Sequence, residues 1–166
     1  MKLRHFIPFV VLALVLFTAG LAAAASRIVI AVLSDRGDPA TMNEKQFAMR
    51  NQVGEWMEKD LLKLLSKAGY EARLIGKAEE FQPAAGQYLL KVAIVSYNPG
   101  SKAARMMVGY GAGATSLDTR AELVDQKGAT LLTEEFGVGS SRDWHYSTRK
   151  VNEQTVAAVT NRLRQQ

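Results

Sequence analysis

The sequence predicts an α+β fold: a mainly antiparallel sheet of about five strands, with one long helix and a C-terminal helix packed on it. Three observations predict it. Apolar residues recur at helical spacing between Met49 and Ala68, and again between Val151 and Leu163. Short β-branched or alternating runs fill most of the rest. Turn residues separate these runs, so the element order reads β-α-β-β-β-β-α.

The first strand is Arg27-Ile-Val-Ile-Ala-Val-Leu33, a run rich in β-branched residues. Ser34 to Ala40 follows as a loop, and Thr41-Met-Asn-Glu44 has the capping-box pattern that opens a helix. Met49, Val53, Trp56, Met57, Leu61, Leu64, Leu65 and Ala68 then mark one helix face. Gly69 stands where a C-terminal cap glycine belongs. Tyr70 to Ile75 is the second strand, closed by Gly76, and Ala78 to Gly86 is a helical turn and loop around Pro83.

Tyr88 to Tyr97 is almost continuously apolar, as a central strand buried on both faces would be, and Asn98-Pro-Gly100 ends it. Leu117, Thr119, Ala121 and Leu123 alternate with Asp118, Arg120 and Glu122, the pattern of a strand with one wet face. Asp125-Gln-Lys-Gly128 is a hairpin turn, and Ala129 to Val138 returns as the next strand. Val151, Thr155, Val156, Val159 and Leu163 define the last helix, with Ser147 as its expected N-cap.

The N-terminus predicts export. Lys2 and Arg4 precede an apolar run from Phe6 to Ala25 that ends in Ala22-Ala-Ala-Ala25-Ser26. Small residues at Ala23 and Ala25 suit signal peptidase, so residues 1–25 read as a signal peptide cleaved between Ala25 and Ser26. The competing reading is a retained anchor, since about 20 residues just span a bilayer. Ser26 to Gln166 then forms one domain, periplasmic or otherwise associated with the envelope. The chain has no cysteine, which excludes disulfides, thiol chemistry and a lipidated N-terminal cysteine. Its net charge of +5 falls to +3 when Lys2 and Arg4 leave with the signal. Basic and acidic residues are interspersed, unlike the clustered Lys and Arg of a nucleic-acid binder. Membrane contact is expected only through an uncleaved signal or peripheral binding.

GYGAGATS, Gly109 to Ser116, invites a phosphate-loop reading. Such a loop needs a Lys followed by Ser or Thr, and a helix whose N-terminus faces the anion. Here that Lys is missing, and an alternating strand follows. Gly109, Gly111 and Gly113, with Tyr110 between them, therefore read as backbone glycines at a bend or bulge. No cofactor is expected. Arg105, this glycine cluster, the alternating strand and the hairpin at Asp125 and Gly128 together resemble a bacterial exported family known as domain of unknown function 4410. Many of its members are envelope lipoproteins, a feature this cysteine-free chain does not share. The resemblance implies an envelope-located α+β domain like those of envelope assembly proteins, and brings no catalytic residues.

Other chemistry is sparse. Ser140-Ser-Arg-Asp-Trp-His-Tyr-Ser147 gathers Asp143, His145 and three serines, but a catalytic triad is assembled in space by a fold. The segment reads instead as a polar loop before the last helix. His145 is the only histidine beyond the signal, so no multi-histidine metal site forms within one chain. Asp35 and Asp38 sit among turn residues, where a shared cation is the less ordinary use of carboxylates. Lys59, Lys63 and Lys67 form a stripe at i,i+4 spacing, the solvated face of an amphipathic helix, with Glu55 four residues before Lys59. Two functions remain. One is a non-enzymatic module that binds an envelope protein or itself, through a sheet edge, the glycine segment or the lysine stripe. The other is a small hydrolase or ligand-binding protein using the Asp143/His145 region. A pocket joining His145 to a carboxylate and a hydroxyl would favour the second, and an unpaired strand edge the first.

Overall fold

A computed structural model describes residues 27–101, 107 and 113–166. Its elements follow in the order β1 (Val29–Asp35), α1 (Glu44–Lys67), β2 (Glu71–Ile75), β3 (Gln87–Asn98), β4 (Thr115–Val124), β5 (Thr130–Ser140) and α2 (Trp144–Arg164). The α+β class and the element order are those expected. The sheet, however, is mixed. Its strand order is β2-β1-β3-β4-β5, with β1 parallel to both β2 and β3, and antiparallel pairing on either side of β4. Parallel neighbours need a crossover, and two are present. α1 carries the chain from β1 to β2, and residues 76–86, with a short 3-10 turn at Ala78–Glu80, carry it past β1 to β3.

Both helices lie on one face of the sheet. Ile30, Val32, Leu90, Val92, Leu117, Ala121 and Leu123 meet Val53, Met57, Leu61, Leu65, Val151 and Val159 in the main core. Fully burying one such side chain stabilises by about 1.5–3 kcal/mol, so this layer holds the fold together. The far face carries a smaller cluster of Ala31, Ile75, Leu89 and Val124, against which Phe81 of the second crossover packs. β3 is thus not buried on both faces as its apolar run suggested. Lys91 and Ala93 are only half-buried, and Val95 is 51% exposed. A continuous apolar run does not reveal that helices cover only one side.

The ends of α1 obey local chemistry, with one change from expectation. Asn43, not Thr41, is the N-cap: its side chain accepts from the Gln46 amide, and the Gln46 side chain accepts from the Asn43 amide. Thr41 belongs to a preceding 3-10 turn, Pro39–Thr41, capped by Asp38, and its hydroxyl donates to the Asp38 carbonyl. Both four-residue patterns satisfy the capping rule, and Pro39 assigns the earlier one to its own turn. At the other end Gly69 has φ of +95°, the Gly69 amide bonds the Ser66 carbonyl and the Tyr70 amide bonds the Leu65 carbonyl. That is the Schellman arrangement.

Asp143, not Ser147, caps α2, accepting from the Tyr146 amide at 3.1 Å. His145 and Ser147 therefore lie in the first helical turn and not in a polar loop. Ser147 is fully buried, a position that places its hydroxyl in the core.

Candidate functional site

Among the described residues, Asp143 and His145 are not hydrogen-bonded to each other. His145 Nδ1 is 3.7 Å from Asp143 Oδ1, beyond hydrogen-bond range, and that oxygen already accepts from the Tyr146 amide. The imidazole instead stacks on Trp144, with ring centroids 3.6 Å apart, and meets the edge of Trp56 at 5.4 Å. Ser140 accepts from the Arg142 amide, and the buried Ser147 hydroxyl has no hydrogen-bond partner among the described residues. Neither serine is paired with the base that nucleophilic attack would require.

The acidic loop residues act on their own backbone. Asp35 accepts from the Gly37 amide at 2.8 Å and Asp38 from the Ala40 amide at 2.9 Å. Lys59, Lys63 and Lys67 are exposed on α1. Glu55 lies 3.9 Å from Arg36. Asp125 organises the β4–β5 turn: its carboxylate accepts from the Lys127 and Ala129 amides, each at 2.8 Å, and Gly128 takes φ of +80°.

Arg105, Gly109, Tyr110 and Gly111 lie outside the described residues, as do Ala25 and Ser26. Gly113 is described. Its φ is +69°, and its carbonyl accepts from the Ser101 amide at 3.0 Å. A Cβ on Gly100, itself at φ of +72°, would lie 2.4 Å from that carbonyl oxygen. The two glycines allow the chain ends leaving β3 and entering β4 to touch.

A cleft of about 740 Å³ opens between the β1–α1 connection, the first half of α1 and the end of β3, with Asp38, Met42, Arg50, Val95 and Tyr97 among its walls. Arg50 looks like an anion ligand there, but its guanidinium is committed to the carbonyls of Arg36, Ile94 and Val95 at 3.0–3.3 Å. Burial pushes the Tyr97 phenol above its ordinary pKa. The Arg50 guanidinium in this cleft thus ties α1 to the β1–α1 connection and to the end of β3.

Two networks fix the helices. Arg36 runs across Gly54 and holds the Glu58 carboxylate, which a side chain on Gly54 would obstruct: its Cβ would stand 2.7 Å from Arg36 Nε. Between the helices, Asn152 donates to Asp60 and to the Met57 carbonyl, both at 3.0 Å, and Arg149 also pairs with Asp60. Hydrogen bonds from Lys150 and Arg149 hold the Glu153 carboxyl below its ordinary pKa. Sequence reasoning missed the pairs of Arg36 with Glu58 and of Asn152 and Arg149 with Asp60, because their partners lie far apart in the chain.

What stays open is the sheet itself. β2 and β5 are its edges, each hydrogen-bonded on one side only among the described residues. β2 exposes Arg73 and Leu74, the latter at 45%. β5 exposes Glu134 and Glu135, and a groove of about 440 Å³ runs between it and α2 over Leu132, Phe136, Ala157 and Ala158. No described helix is long and apolar enough to cross a membrane.

Among the described residues, these features define an α+β sandwich with one helical layer on a five-stranded mixed sheet whose two edges are open. Residues 23–164 match the family described as domain of unknown function (DUF4410), and the chain belongs to that family. Comparison with curated proteins gives no match. The chain is similar in fold to a singly substituted PelC dodecamer from Paraburkholderia phytofirmans, with 12% identity and a TM-score of 0.53 over 81% of this chain and 87% of that one. It is also similar to the PelC dodecamer from the same organism in another crystal form, with 11% identity and a TM-score of 0.52 over 81% and 88% of the two chains.

Proposed function

We propose that the chain is an exported, non-enzymatic envelope module that works by self-association. The observation that carries this reading is the pair of sheet edges, β2 and β5, unpaired on their outer sides among the described residues, with Leu74 exposed on one and a groove walled in part by Leu132, Phe136, Ala157 and Ala158 beside the other. Free edges are templates for strand addition, and proteins that stay monomeric blunt or cover them. The stacking of His145 on Trp144, out of hydrogen-bond range of Asp143, supports a binding role over hydrolysis. Lys2, Arg4, the apolar run and the Ala-x-Ala ending support export. The assembly of the PelC neighbours as dodecamers supports self-association in particular.

Light scattering on the purified protein across a hundredfold range of concentration tests the reading. The expected result is a mass that is a fixed multiple of one chain. A mass of one chain throughout the range would refute it.

A further inference from the structure

We propose that copies of this chain join head to tail, β2 of one adding in parallel to β5 of the next, in the register that sets Arg73 against Glu135 and Leu74 against Phe136. The inference rests on the self-associating reading and specifies its interface.

Strand direction permits the joint. β2, β1 and β3 run the same way, β4 runs against them and β5 against β4, so the two edges point in one direction. Adding β2 to β5 of another copy continues the sheet with every helix on the same side.

The faces also agree. Leu74 pairs with Val32 in the sheet register, and Phe136 with Thr119, so both project to the helical face. Arg73 pairs with Ala31 and Glu135 with Arg120, which places both on the opposite face. Because side chains alternate strictly, a register aligning one pair automatically aligns the other. Leu74 then covers Phe136 at the mouth of the groove lined by Leu132, Ala157 and Ala158.

Charge points to the same joint. Glu135 binds Arg120 through one carboxylate oxygen at 2.5 Å, yet its side chain remains 61% exposed, leaving the other oxygen for Arg73. Two β5 edges would oppose Glu134 and Glu135 with their own copies, so like edges repel where unlike edges attract. An interface between two different patches on one chain is heterologous, and the fixed number of chains expected of the assembly requires that the rotation per step close it into a ring.

The absence of cysteine allows a direct test, since introduced thiols have no competitors. Within one chain β2 and β5 are four strand spacings apart, about 19 Å, far beyond the ~7 Å Cα separation that a disulfide tolerates. In the Arg73→Cys/Glu135→Cys double variant, mild oxidation should give a ladder of covalent dimers, trimers and higher species on a non-reducing denaturing gel. Each single variant should stay at one chain. A Lys59→Cys/Glu135→Cys control, with the first thiol on the exposed face of α1, should give no ladder.

A second arm uses charge. Arg73→Glu and Glu135→Arg should each weaken assembly about tenfold or more, and their combination should restore it. An assembled wild type whose double-cysteine variant gives no ladder, or ladders no better than the control, overturns the edge joint and leaves self-association standing. Reversals without effect do the same. A wild type that never assembles overturns both.

Discussion

Arg36 holds Glu58 through three hydrogen bonds of 2.8–3.0 Å, joining the loop after β1 to the middle of α1. The Glu58 side chain is nearly buried, so removing its partner strands a carboxylate away from water. Arg36→Ala should therefore cost about 2–3 kcal/mol. Lys91→Ala, which breaks a half-exposed pair with Glu122, should cost less than about 1 kcal/mol. Urea denaturation of both variants measures the contrast, and equal costs would show that the Arg36 pair is no tighter than a surface one.

Gly100 and Gly128 both take positive φ, but only Gly100 is also pressed by backbone. Gly128 has nothing within 4 Å of a new Cβ, so Gly128→Ala carries only conformational strain, about 1 kcal/mol. Gly100→Ala adds the collision with the Gly113 carbonyl and should lose at least twice as much, because an oxygen of the main chain moves less readily than a side-chain tip. Thermal melts of the two variants compare the losses. Similar shifts would mean that the β3–β4 junction relaxes around the added methyl.

Much of this fold is legible in the sequence because its strongest signals are local. The apolar spacing of α1, Gly69 at its end, the alternation of β4 and the turn at Asp125 and Gly128 each depend on residues within a few positions of one another. The mixed sheet is less legible. β1 and β3 pair across more than fifty residues, and nothing in either run distinguishes a parallel neighbour from an antiparallel one. The caps at Asn43 and Asp143 show the limit of local rules, since Thr41 and Ser147 satisfy the same preferences nearby. The candidate interface is hardest to read. Leu74 becomes an exposed edge residue only because β1, and not β2, occupies the interior of the sheet.

His145→Ala removes the ring stacked on Trp144 and no hydrogen-bonded machinery. The variant should lose no more than about 1.5 kcal/mol of stability and assemble as the wild type does. Loss of cellular function with folding and assembly intact would favour a hydrolytic role for the Asp143/His145 region.

Export should remove Met1 to Ala25. Edman sequencing of the protein recovered from the cell envelope should begin at Ser26, as the Ala-x-Ala ending directs. A first cycle yielding Met would mean that the apolar segment is kept as an anchor.

Self-assembly is the central claim, and native mass spectrometry of the purified protein tests it most directly. The account predicts a dominant species containing one fixed number of chains, which dissociates toward single chains at about tenfold higher protein concentration when Arg73 is replaced by Glu. A wild-type spectrum showing only single chains at every concentration tried would contradict it.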